Sequence, residues 1–295
     1  MSNVMLYDIL IIGAGPAGMS AAIYAGRANK TVLLIDPEFG GNIAKSPKVE
    51  NIPGFKTISG VDFATQMYDQ VMNLPTVEHV MNKAVYIEYY HRIFKVSLDD
   101  RTVACGKSLI FAMGTQHKEL KLDTPDIYYC ATCDGPFFKN ESVIVVGSGN
   151  TGATYALELA EYCKKVYLCD LTLNMQCENI LQERINKNKK ITWLPNTTIT
   201  KVNNDKQGRL SSVTLSTLTN IKCKGIFAAI GLVPQTQIVN AFAKLDDKKY
   251  IVSSNVPGVF AAGDCTNNKV KQVVTATAEG AIAAVNAIKF LDTLK

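Results

Sequence analysis

The stretch Tyr7-Asp8-Ile9-Leu10-Ile11-Ile12 is almost continuously apolar, shows no helical period and stops at Gly13, which predicts a strand buried on both faces. The turn Gly13-Ala14-Gly15-Pro16-Ala17-Gly18 follows, then small and apolar residues from Met19 to Gly26 that predict a helix. A second apolar strand, Thr31 to Ile35, ends at Asp36. The pattern recurs. Ser142 to Val146 predicts a strand, Gly147-Ser148-Gly149-Asn150-Thr151-Gly152 a turn, Ala153 to Tyr162 a helix and Val166 to Cys169 a strand that meets Asp170. Gly13 to Asp36 and Gly147 to Asp170 both span 23 positions, so the two units keep one register.

Leu109 to Thr115 and Ile226 to Pro234 resemble each other, each an apolar strand reaching a glycine. They are read as two crossing points flanking an inserted domain of residues 116–233. Residues 1–115 and 234–295 then form the first domain together. Val259 to Ala262 predicts a strand ending in the Gly263-Asp264 turn, with an alanine-rich helix beginning near Thr275. Thr192 to Leu218 alternates as strands do, with a turn near Asp205 to Gly208. The expected fold is α/β, with two nucleotide-binding, Rossmann-like, three-layer domains, the second inserted into the first.

In such a unit the first two glycines allow a tight turn and close backbone approach to a pyrophosphate, and the third lets helix and strand pack. The helix start offers free N–H groups to phosphates. Asp36 is placed to accept a hydrogen bond from a ribose hydroxyl, and Asp264 to bond a polyol chain.

With 295 residues, 47% of them hydrophobic, the chain can bury the core of two domains. The net charge of +5 is not gathered into any basic block, which argues against nucleic acid as a partner. The run Ile9 to Ile12 is far short of the ~18 residues of a membrane span, and Met1 to Asp8 has no basic leader region. No membrane partner is expected. Of eight cysteines only Cys130 and Cys133 are closely paired; Cys105, Cys163, Cys169, Cys177, Cys223 and Cys265 are scattered. That usage fits a reducing cytoplasm. A zinc site would want a second close pair or histidines at ligand spacing, so no metal is expected.

The pair lies in Cys130-Ala131-Thr132-Cys133-Asp134-Gly135, between the two glycine turns. Two thiols separated by two residues can close a small disulfide and open it again, and the adjacent Asp134 could carry the proton that this chemistry moves.

Taken together, the chain resembles the low-molecular-weight thioredoxin reductases over nearly its whole length. The resemblance rests on Gly13 to Gly18, Val49-Glu50-Asn51-Ile52-Pro53-Gly54-Phe55, Cys130 to Gly135, Gly147 to Gly152, Gly263-Asp264 and Gln272-Val273-Val274-Thr275. It implies FAD in the first domain, held by Gly13, Gly15, Pro16, Ala17, Gly18, Asp36, Asn51, Gly114, Asp264, Gln272 and Val273. It also implies a homodimer, with thioredoxin as the disulfide substrate. Cys133 would face the flavin, Cys130 attack the partner disulfide and Asp134 donate the proton.

One departure bears on the electron donor. Members of the family that use NADPH carry His-Arg-Arg, and an arginine four residues on, after the strand of the second unit. The matching positions here are Asp170, Leu171, Thr172 and Gln176. An acid thus stands where a 2′-phosphate would sit, and a like charge at ~4 Å costs about 1 kcal/mol in water and about 4 at an effective dielectric near 20. The expected donor is reduced ferredoxin, as in the ferredoxin-dependent flavin thioredoxin reductases, which the chain resembles in this loss. An NADH- or NADPH-dependent reductase is the alternative, with NADH the better fit of the two since an acid suits a free ribose diol. A flavin-binding redox sensor is the competing non-enzymatic reading; it would not require an acid beside a partner-facing thiol.

Overall fold

The structure, a computed structural model, describes residues 5–46, 48–239 and 241–294; the first four residues of the leader reading lie outside them. The chain separates into two compact units, divided between Gln116 and His117 and between Leu232 and Val233.

The first unit begins with β1 (Leu6–Ile12), α1 (Pro16–Arg27), β2 (Val32–Ile35), α2 (Gly60–Met72) and β3 (Val77–Val80). A meander of β4 (Ala84–Tyr90), β5 (Ile93–Leu98) and β6 (Val103–Phe111) follows. The chain leaves through β7 (Thr115–His117). The second unit contains β8 (Ile127–Tyr128), the short α3 (Ala131–Asp134), β9 (Ser142–Val146), α4 (Asn150–Tyr162) and β10 (Lys165–Cys169). It continues with α5 (Asn179–Lys187), β11 (Ile191–Leu194), β12 (Ile199–Asn204), β13 (Leu210–Leu215), β14 (Asn220–Lys222) and β15 (Gly225–Ala228). The return crossing β16 (Leu232–Pro234) pairs with β7. Then come β17 (Ala243–Leu245), β18 (Ile251–Ser254), β19 (Val259–Ala261) and α6 (Val273–Asp292).

In the first unit β3, β2, β1, β6 and β19 form a parallel sheet in that order. β5 pairs antiparallel with the first half of β6 and β19 with its second half. Ile9, Leu10 and Ile11 have no exposure because both faces of β1 are covered. Ile9 and Ile11 meet α1 and α6, while Leu10 meets Phe94, Val96 and Phe242 on the other side. α6 has the length and apolar composition of a membrane span. Its buried stripe instead packs on α1: a Cβ at Gly280 would lie 2.0 Å from the Ala17 carbonyl oxygen.

The second unit repeats the plan with β11, β10, β9, β15 and β8 in parallel. α4 covers one face and the antiparallel β12–β13–β14 meander the other. Fully buried Asp126, just before β8, is tied to this meander by Arg209 and by the Leu210 N–H at 2.7 Å.

The two predicted crossing strands are each interrupted. β6 ends at Phe111 and β7 starts at Thr115; β15 ends at Ala228 and β16 starts at Leu232. The cause is the same in both units. A Cβ on Gly13 would stand 2.2 Å from the Ala112 carbonyl oxygen, and one on Gly147 at the same distance from that of Ala229. The first glycine of each turn, at φ +110° and +105°, therefore lies against the end of the neighbouring strand. The three helices that follow glycine turns also begin earlier than their apolar patterns suggest, at Pro16, Asn150 and Val273.

Candidate functional site

In the first unit the predicted nucleotide residues converge at the carboxyl ends of parallel strands. Gly13 to Gly18 follow β1, Asp36 follows β2, Gly114 follows β6 and Asp264 follows β19. The third glycine is a packing residue, since a Cβ on Gly18 would fall 1.7 Å from the Gly13 carbonyl oxygen. Gly15 is different: a Cβ there would meet nothing within 4 Å. The open space lies at the start of α1, where Pro16 occupies the first turn. A pyrophosphate fits that cradle, because the backbone is bare on the side facing outward and unbonded N–H groups lie beside it.

Asp36 accepts from the Ala14 N–H at 2.5 Å and from the Glu38 N–H at 2.8 Å. Burial outweighs both bonds and pushes its carboxyl above the usual range. Asp264 is also raised by burial, opposed by the neighbouring Lys271 charge, and no described group donates a hydrogen bond to its carboxylate. Half-buried acceptors with spare lone pairs are what ribose and polyol hydroxyls require. Asn51, from a loop remote in sequence, donates from Nδ2 to Gln272 Oε1 at 3.0 Å. Gln272 caps α6 in a reciprocal arrangement with Thr275, and Val273 opens the helix. Every predicted residue of this set thus lies on one rim of the first unit.

The second unit carries the same device. A Cβ on Gly152 would sit 1.8 Å from the Gly147 carbonyl oxygen, whereas one on Gly149 would meet nothing. Asp170 Oδ2 accepts from the Ser148 N–H at 2.6 Å and the Ser148 hydroxyl at 2.7 Å, and Oδ1 from the Thr172 N–H at 3.3 Å. Burial would raise this carboxyl, but those bonds win and hold it below its ordinary value. Leu171, 69% exposed, and Leu173, 72% exposed, present apolar groups beside it.

Cys130 and Cys133 are joined in a disulfide, with Cα atoms 5.4 Å apart. Cys130 caps α3, its Sγ accepting from the Cys133 N–H at 3.1 Å. Cys133 is exposed, Cys130 partly so, and Asp134 half-buried. Desolvation raises the Asp134 carboxyl above its ordinary value, the direction that favours keeping a proton to donate. The buried cysteines cannot compete as nucleophiles. Burial pushes Cys163 and Cys265 to about 11 and Cys169 and Cys223 to about 12.

Residues 7–280 match the family described as pyridine nucleotide-disulphide oxidoreductase. The chain is 34% identical to the thioredoxin reductase of Listeria monocytogenes over 100% of its own length and 97% of that protein's. It is 32% identical to that of Bacillus subtilis, covering 100% and 98%. The fold superposes on the crystal structure of Lactococcus lactis thioredoxin reductase with a TM-score of 0.92 at 30% identity, covering 97% of this chain and 99% of that one. For the crystal structure of T. acidophilum thioredoxin reductase the TM-score is 0.90 at 32% identity, covering 98% of this chain and 99% of that one. The chain belongs to the low-molecular-weight thioredoxin reductases. It is an oxidoreductase and a flavoprotein by that membership.

Three residues of this reductase had no signal in the sequence pattern. Asn42 donates from Nδ2 to the Thr115 carbonyl at 2.8 Å, tying the loop after β2 to the strand after Gly114. Gly41, at φ +63°, brings its backbone against Gly15, a Cβ there standing 3.1 Å from the Gly15 Cα. Glu279 accepts from the Gly263 N–H at 2.7 Å and from the Thr266 hydroxyl at 3.1 Å, fixing the turn that presents Asp264. Each is polar or glycine in an unremarkable context, and only folding reveals its partner.

Proposed function

We propose that this thioredoxin-disulfide reductase binds one FAD in its first unit, receives electrons from reduced ferredoxin and passes them through Cys130 and Cys133 to thioredoxin. The observation that carries the donor is the Asp170 carboxylate, turned into the Ser148 turn at the position where the adenosine 2′-phosphate of NADPH would need cations. Leu171, Thr172 and Gln176 supply none. The expected partners are completed by a second copy of the chain in a homodimer, in the cytoplasm.

FAD supplies the carrier that takes electrons from the donor and delivers them to the disulfide. The chain's own residues do the rest. Gly15 would leave room for the pyrophosphate, Asp36 and Asp264 would accept from ribose and polyol hydroxyls, and Gln272 and Val273 at the start of α6, with Asn51 steadying Gln272, would help hold the group. Reduction of Cys130–Cys133 consumes two electrons and two protons and leaves two thiols. The Cys130 thiolate attacks the thioredoxin disulfide, forming a mixed disulfide and expelling one thioredoxin thiolate. Cys133 attacks Cys130 Sγ, restores the internal disulfide and frees the second thioredoxin thiolate. Asp134 moves the protons that these thiolates lose and gain.

A second donor, NADH, is favoured by one feature. Gly149 keeps its outward space although no protein atom requires it, and Asp170 is the residue type that holds a free ribose diol. Turnover separates the enzyme from a sensor. Catalytic protein supplied with reduced ferredoxin should release many equivalents of thioredoxin dithiol, and a sensor would stop after one.

A further inference from the structure

α4 does more than cover the sheet of the second unit. Its face at Tyr155, Glu158, Leu159 and Tyr162 lies along the segment Tyr129 to Gly135. The Tyr155 hydroxyl donates to the Tyr129 carbonyl at 2.5 Å. The Thr132 hydroxyl donates to Glu158 Oε2 at 3.3 Å. A Cβ on Gly135 would stand 3.0 Å from both Leu159 Cδ2 and Tyr162 Cε2. These positions recur every three or four residues, the spacing of one helical face. Thr132 is one of the two residues between the cysteines of the pair and directly precedes Cys133.

We propose that Glu158 is a positioning residue for the redox pair: through Thr132 it fixes the turn bearing both thiols, and its negative charge opposes thiolate formation in the reduced enzyme. The proposal rests on Cys130 and Cys133 being the redox pair, but not on the identity of donor or acceptor. The groups acting electrostatically around Glu158 are acidic. Glu161 shares α4 with it, Tyr155 and Tyr162 flank it, and Asp134 reaches Tyr155 from the redox turn. Burial raises the Glu158 carboxyl against the bonds from Thr132 and Tyr162, and burial with the nearby Glu158 and Asp134 charges raises Tyr155 to about 12. A carboxylate held against Thr132, the chain neighbour of Cys133, destabilises a nearby thiolate and favours the protonated form. The reduced pair would therefore wait as dithiol and form thiolate when the partner is engaged.

The test is alkylation of the dithiothreitol-reduced holoenzyme by iodoacetamide, followed at Cys130 and Cys133 by peptide mass spectrometry from about pH 6 to about pH 9, a range bracketing an ordinary thiol. Glu158→Gln keeps an acceptor for Thr132 and removes the charge. It should lower the titration midpoint of the more reactive thiol by about half a unit or more, raising its alkylation rate near neutrality about threefold. Glu158→Asp keeps the charge and should titrate like the parent. FAD content and thermal midpoint, measured on both variants, should match the parent. A Glu158→Gln titration indistinguishable from the parent, or a Glu158→Asp shift as large as that of Glu158→Gln, overturns the proposal. Failure to reduce thioredoxin would overturn the functional reading instead and leaves this titration readable.

Discussion

The Ser148 N–H and hydroxyl both donate to one oxygen of Asp170, at 2.6 and 2.7 Å. The equivalent pair in the first unit, Ala14 and Asp36, has only the backbone bond. Bonds to a charged acceptor are worth roughly 1.5–3 kcal/mol, so Asp170 has a structural role as well as a bearing on nucleotide choice. Asp170→Asn should destabilise the protein by about 1 kcal/mol at neutral pH, measured by urea denaturation. Because the folded Asp170 is held low, its stabilisation is present above the unfolded value and lost as pH falls through the folded one. The gap between variant and parent should therefore close on acidification.

Gly15 and Gly18 predict opposite failures. Gly15→Val places its branch in open space, so the protein should fold and keep its thermal midpoint as apoprotein while losing the yellow cofactor. Gly18→Ala drives a methyl onto the Gly13 carbonyl and should lose soluble folded protein. Absorbance per chain after gel filtration measures both. Full FAD retention in Gly15→Val would remove the first cradle as the pyrophosphate site.

The proposed chemistry gives the two thiols unequal tasks. Cys133→Ser leaves Cys130 free to attack but removes the thiol that resolves the attack, so oxidised thioredoxin should accumulate as a mixed disulfide on non-reducing gels. Cys130→Ser should give no such adduct. An adduct confined to Cys130→Ser would reverse the assignment.

Asp134→Asn should slow thioredoxin reduction by roughly 10²–10⁴-fold, the range for a positioned general acid. Since desolvation raises the Asp134 carboxyl, the parent should lose activity as pH climbs past that raised value and the proton is gone. The variant should lack this alkaline limb. A pH–rate profile of both proteins decides it.

Much of the fold was legible because parallel strands buried on both faces read as uninterrupted apolar runs, and because each glycine turn has a fixed sequence. β4, β5 and the first half of β6 were not. β5 alternates as a one-sided strand does, but β4 buries only Ala84 and Ile87, and its outward Tyr86, Tyr89 and Tyr90 blur the period. α2 and α5 were not read from the sequence: α2 sets its inward Phe63, Ala64 and Val71 among exposed Val61 and Met72, and α5 buries only Ile185. In the site, residues that act through sequence-local geometry, such as Gly13, Gly15 and the cysteine pair, announced themselves. The Asn51–Gln272 bond spans 221 positions, and Glu279 works through a turn 16 residues away, so neither pairing leaves a periodic trace.

Anaerobic flavin bleaching identifies the electron donor. The yellow protein is mixed separately with NADPH, NADH and reduced ferredoxin, and absorbance is followed in a stopped-flow cell. Ferredoxin should bleach the flavin rapidly, more slowly in added salt if the net charge of +5 steers an acidic donor, with negligible bleaching by NADPH and little by NADH. Fast, saturable bleaching by NADPH would contradict ferredoxin as the donor.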